Sequence, residues 1–221
     1  MFGKEKFGVK LLFYFGGLAV MAFGVMISVI SDLGVTPITS LPYTMTVVSG
    51  MEFGLATMLF SVLMVLLQIL VLRKKYQLIN LLQLPIGLLF GGFLTLCGLL
   101  TAGIPTPDSF VLKILLMLIS TVFVAIGVFL YVSPGFVPLP PEGFIIAVSR
   151  VLKKKFSSVK VVSDVTMVSI SLITCILLVH SLGSVGIGTV VAAILVGNEV
   201  KLLTKIFGAK RDAVLGRAGI K

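Results

Sequence analysis

The chain has 221 residues, 58% of them hydrophobic and 12% charged, with a mean hydropathy of +1.21. A soluble domain carries about 25% charged residues, so this chain lacks the polar surface to fold in water and reads as an integral membrane protein. The formal net charge of +10 does not point to nucleic acid, because the basic residues flank apolar stretches instead of forming one patch.

Crossing a bilayer takes about 20 apolar residues, and six stretches qualify: about 10–31, 54–72, 78–101, 111–132, 159–180 and 185–205. An open sheet edge cannot face lipid, so helices are expected. The opening "MFGKEKFGVK" is followed by no small-residue cleavage site and reads as the flank of a retained first span. With that end cytoplasmic, seventeen of the eighteen Lys and Arg residues fall on one side and only Lys113 near an external end. This is a strong positive-inside pattern. Both termini are expected in the cytoplasm, within one membrane domain over 1–221 that ends in a basic tail at 208–221.

Two Gly/Pro breaks interrupt the apolar pattern. "DLGVTPITSLPYTMTVVSG" follows the first span and "SPGFVPLPPEGFIIAVSR" the fourth. A shift of 101 pairs Gly34 with Gly135, Pro37 with Pro138 and Tyr43 with Phe144, and it pairs "IGLLFGGFL" at 86–94 with "IGTVVAAIL" at 187–195. These pairings predict a duplication, with one repeat at about 10–101 and the other at about 111–207. Each repeat has three spans, an odd number, so the two must insert in opposite senses. The expected fold is therefore all-α: six transmembrane helices as two inverted three-helix repeats, each with a break and a short helix after its first span. Ser133, preceding Pro134, should end the fourth span. The short segments 36–50 and 142–155 have two readings. They are amphipathic helices lying in the interface, or re-entrant segments whose N-terminal ends face a central cavity.

Intramembrane ionisable groups and the paired breaks supply the substrate-binding candidates. They are Asp32, Gly34 and Pro37 in the first break, and Gly135, Pro138, Glu142 and Gly143 in the second. Lys160 and Asp164 follow in the fifth span, and Asn198 and Glu199 in the sixth. Each polar member also has an ordinary reading. Asp32 caps a turn, Glu142 stabilises a helix N-terminus, Asp164 pairs with Lys160 four residues earlier, and Glu199 snorkels beside Lys201. Gln68, Asn80 and Gln83 read as interhelical glue, and Gly16, Gly17, Gly91 and Gly92 as close helix contacts. One histidine and two isolated cysteines form no metal-ligand pattern, and no catalytic constellation or cofactor motif is present. An enzyme is not expected.

"DLGVTPITSLPY", "PPEGFIIAVSR", "FSSVKVVSDVTMV" and "GSVGIGTVVAAILVGNEVKLL" together resemble the YczE/YitT-type bacterial integral membrane family over about residues 10–207. The resemblance implies a multi-pass protein of the bacterial inner membrane, of a family largely uncharacterised and described as transporters. It matches the family pattern at Asp32 and Gly34, at Glu142 and Gly143, and at Lys160 and Asp164. The expected function is a secondary transporter or exporter of a small polar or charged solute. The rivals are a substrate-binding subunit of an energy-coupling-factor-like uptake system and a non-transporting accessory protein. The expected partners are the lipid bilayer and the solute, with a homodimer left open and nucleic acid excluded.

Overall fold

The computed structural model describes residues 4–216. Residues 217–221, at the end of the expected basic tail, lie outside the described residues. Eight α-helices follow in order: α1 (Lys4–Ser31), α2 (Pro37–Ser49), α3 (Phe53–Leu72), α4 (Gln83–Thr101), α5 (Phe110–Val132), α6 (Pro140–Leu152), α7 (Phe156–Val179) and α8 (Ile187–Leu215). Short 3-10 turns at Arg73–Lys75 and Leu78–Leu82 join α3 to α4. The six long helices are apolar enough to span a membrane, and the protein is an all-α integral membrane protein. The remaining two, α2 and α6, are the short helices after the breaks, each of 13 residues.

Proline sets the starts of both short helices. Pro37 opens α2, and Pro140 and Pro141 open α6, where a missing N–H costs nothing. Pro134 sets the end of α5. The helix stops at Val132 with Ser133 as its cap, still in the helical region at φ −58° and ψ −40°, and Pro134, which has no N–H to donate, cannot continue it.

The halves are held together along α1 and α5, which cross antiparallel with almost no side chain between them. A Cβ on Gly24 would lie 2.8 Å from the Val124 nitrogen, and one on Gly127 would lie 2.6 Å from the Met21 nitrogen. These two contacts exchange with each other when 103 is added to one residue and subtracted from the other: Gly24 becomes Gly127, and Val124 becomes Met21. The same shift carries Pro37 to Pro140 and Phe53 to Phe156, the first residues of α2 and α6 and of α3 and α7. It also carries Met64 to Met167 and Leu41 to Phe144, which pack together in one cluster with Phe60. The packing follows the exchange too: α3 lies against α6 as α2 lies against α7, and α1 against α4 as α5 lies against α8.

The correspondence between the halves is thus 103, not the 101 read from the sequence. Pro37 pairs with Pro140 instead of Pro138, and Phe144 with Leu41 instead of Tyr43. Likewise Ala193 pairs with Phe90 instead of Gly92. The difference has a simple origin. Pro134 stops α5 two residues earlier than the counterpart of Ser31 would, so breaks counted from the helix end come out two short.

Neither short helix lies in the interface. In α6, Ile145 is fully buried and Pro140, Pro141, Gly143 and Ala147 are buried. Its first turn packs beside Ser61 and Gly87, within the α3 and α4 spans: a Cβ on Gly87 would meet the Ser61 side chain at 2.7 Å and the Pro140 ring at 2.9 Å. Its far end carries exposed Arg150 and runs into exposed Lys153. This is the re-entrant arrangement, with irregular backbone covered by protein. A second correction concerns the tail. The sixth span does not stop near 205, because α8 continues to Leu215, giving 29 residues or about 43 Å at 1.5 Å per residue. That exceeds the ~30 Å hydrocarbon core. Its last turns fold onto the protein, with Leu215 buried and the Arg211 guanidinium 5.0 Å from the Phe129 ring centre.

Candidate functional site

The first turns of α2 and α6 open from opposite halves onto one cavity of about 270 Å³. Its walls are mainly apolar, formed by residues such as Met21, Val25, Phe60, Phe90, Val124 and Val128. The polar groups cluster at matching positions. Thr39 and its counterpart Glu142 both line the cavity, as do Thr57 and Lys160, and Ser61 and Asp164. Each pair differs by 103. One half therefore presents four hydroxyls, these three and Thr36, and the other three ionisable groups to the same space.

The charged half is organised before any ligand arrives. Lys160 donates to both Asp164 oxygens, at 2.9 and 3.2 Å, across one turn of α7. Glu142 accepts a hydrogen bond from the Tyr131 hydroxyl. Glu142 lies in α6, outside the six spans, and burial pushes its carboxyl up to about 7, with Lys160 opposing the shift and Asp164 adding to it. A carboxyl in that range exchanges its proton near neutrality. On the other half the hydroxyls are internally paired: Thr36 and Thr39 share a 2.8 Å bond, and Thr57 donates to the Phe53 carbonyl at 2.8 Å.

Of the candidates read from the sequence, Pro37, Glu142, Lys160 and Asp164 line this cavity, and the others stand elsewhere. Asp32 is exposed and pairs with Lys113 at 2.7 Å, so the one basic residue near an external end is neutralised there. Gly34, with φ +99°, closes the loop against α8, where a Cβ would meet the Gly186 nitrogen at 2.5 Å. Gly135 is an exposed loop residue, and Pro138 stands two residues ahead of the α6 start. Gly143 packs on the Gln83 amide, whose partner Gln68 also donates to the Pro140 carbonyl at 3.1 Å. The glue reading of Gln68 and Gln83 is therefore sound. Asn198 is exposed. Glu199 does not snorkel. Its Oε1 accepts from Thr121 on α5 at 3.0 Å, and its Oε2 is buried with no partner among the described residues.

Sequence reasoning missed Thr36, Thr39, Thr57, Ser61 and Tyr131. Isolated hydroxyls in apolar spans carry little signal, because they satisfy themselves on the preceding turn. The correct shift would have exposed three of them as the counterparts of Glu142, Lys160 and Asp164.

An inverted pair of three-span units, each contributing a re-entrant half-helix to a shared polar-ended cavity, defines the class: a small multi-pass membrane protein with an interior cavity. Residues 8–205 match the family model DUF6198, a family of unknown function, and the chain belongs to that family. No curated protein and no solved structure matches it.

Proposed function

We propose that this protein is a secondary transporter of a small polar or charged solute, binding it in the cavity between the two half-helices. One observation carries the reading: Thr39/Glu142, Thr57/Lys160 and Ser61/Asp164 converge on one chamber from halves of opposite orientation. Inverted repeats with discontinuous segments meeting at a shared site are the recurrent plan of secondary transporters. The resemblance to the YczE/YitT-type family and the positive-inside pattern support placement in a bacterial inner membrane with cytoplasmic termini.

The chemistry available is electrostatic. Lys160 and Asp164 hold each other in place and offer one charge of each sign. Glu142 is the group whose charge changes near neutral pH, so solute binding and proton binding compete or cooperate at this carboxyl. Proton-coupled movement follows if the chamber opens alternately to the two sides. The full chain reconstituted in vesicles, loaded with a panel of labelled small cations, anions and zwitterions, tests this. A protein-dependent flux driven by a pH gradient and uncoupled by Glu142→Gln is expected. Flux identical to protein-free vesicles across the panel would overturn the reading.

A further inference from the structure

The exchange that relates the two halves fails at one place. α3 packs along α4, but among the described residues no comparable packing joins their counterparts α7 and α8. The cause is in the side chains. α3 and α4 touch backbone to backbone at two glycines: a Cβ on Gly54 would lie 2.3 Å from the Gly91 carbonyl, and one on Gly91 would lie 2.6 Å from the Gly54 carbonyl. Adding 103 turns Gly54 into Ser157 and Gly91 into Ile194, and Ile194 is 60% exposed. Close approach through small residues is what joins helices in lipid, and the branched side chain of Ile194 does not permit it.

A second link is missing at the same seam. Glu52 caps α3 and accepts a 3.0 Å bond from Thr95 on α4. The counterparts are Lys155 and Asn198, two groups that make no such bond among the described residues. The cavity reaches this seam. Lys160 and Asp164 line it from α7, and Ala193 and Gly197 from α8, the latter two exposed.

We infer that the α7–α8 seam is a lateral portal from the bilayer, and that the chamber takes an amphiphile with a cationic head and an apolar chain. This rests on the reading of the cavity as a substrate site and adds the class of substrate and its route. The apolar walls accept hydrocarbon. The head would meet Glu142 and Asp164, two carboxylates against the single Lys160, so the ionised site carries one net negative charge. The seam lies between two spans, both bordered by exposed aliphatic residues such as Val161, Val165 and Val190, so the chain reaches the chamber without leaving hydrocarbon.

The chain has no tryptophan, so Phe60→Trp supplies a single reporter inside the cavity on α3. In full-length protein in vesicles, 12-bromododecyltrimethylammonium should quench this reporter saturably, because heavy-atom quenching acts near contact. Glu142→Gln should weaken that binding about tenfold, the scale of one lost charge-assisted contact. The pair Ser157→Gly with Ile194→Gly, which restores the glycine contact of the other half, should reduce the quenching. If Phe60→Trp does not fold, Phe90→Trp reports from α4. Absence of quenching in both folded reporters overturns the portal, including the case in which a second copy of the chain seals the seam. Quenching by brominated-chain phosphatidylcholine but not by the cation overturns the cationic head. Equal binding of a water-soluble bromobutyl analogue overturns the lateral route and leaves the proposed transport untouched, whereas loss of flux with quenching retained overturns transport alone.

Discussion

Glu142 illustrates how a single residue acquires its role from position. Thirteen-residue helices begin at Pro37 and Pro140 alike, and the third residue of each faces the cavity, as Thr39 in one and Glu142 in the other. Because burial raises the Glu142 carboxyl from its ordinary 4.5 to about 7, the folded state binds this proton more tightly than the unfolded chain. Its contribution to stability is therefore fully present below about 4.5 and is lost as pH rises through about 7. Melting of the detergent-solubilised protein should show a temperature that falls between about pH 4.5 and about pH 7 and levels off above that, and Glu142→Gln should flatten that fall. A second residue-scale expectation concerns Glu199. Thr121→Val removes the hydrogen bond to its Oε1 while its Oε2 is already without a partner among the described residues. The loss should be about 1–3 kcal/mol, read by chemical denaturation in mixed micelles, and Thr121→Ser should restore most of it.

At the scale of helices, glycine decides which elements touch. Gly24 and Gly127 let α1 and α5 meet at their crossing, and Gly54 and Gly91 do the same for α3 and α4. Gly127→Ala would push a methyl group against the Met21 nitrogen and the Gly17 carbonyl, 2.6 and 2.7 Å away. Backbone cannot give way as a side chain can, so a loss at the upper end of the ~1–3 kcal/mol range for overpacking is expected, with reduced yield of folded protein. Gly16→Ala, inside α1 with nothing within 4 Å, should leave stability unchanged or raise it by up to about 1 kcal/mol. It serves as the control on α1, the helix that Gly127 packs against, in the same denaturation measurement. The half-helices are fixed by polar contacts instead. Ser171 donates to Ser40 at 3.1 Å on one side, and the Gln68–Gln83 pair holds Pro140 on the other. Gln68 and Ser171 differ by 103, so these are the same place in the two halves, built from different chemistry.

At the scale of the molecule, the chain is a near-symmetric shell broken along one seam. The apolar periodicity and the placement of lysine and arginine suffice for six spans and for an all-α membrane fold, because a bilayer forces length and charge to follow few rules. The paired breaks are legible for a similar reason, as proline and glycine announce themselves in an apolar run. The register between the halves is not. Counted from loop landmarks it comes out wrong, because Pro134 displaces one of them by two residues. The site is half legible: Glu142, Lys160 and Asp164 stand out as charges, whereas Thr39, Thr57 and Ser61 look like any hydroxyl in a span.

The sequence by itself therefore determined the solvent this protein lives in, the number of crossings and the existence of two interrupted segments. Each of these is a local property of composition and of single residues with strong backbone preferences. Only the tertiary structure decided that Asp32 pairs with Lys113 away from the chamber, that the two breaks meet, and that α7 and α8 stand apart. These depend on which residues from distant segments come within a few ångströms of each other. An isoleucine in place of a glycine at such a point leaves the span apolar but sets how closely two helices can lie.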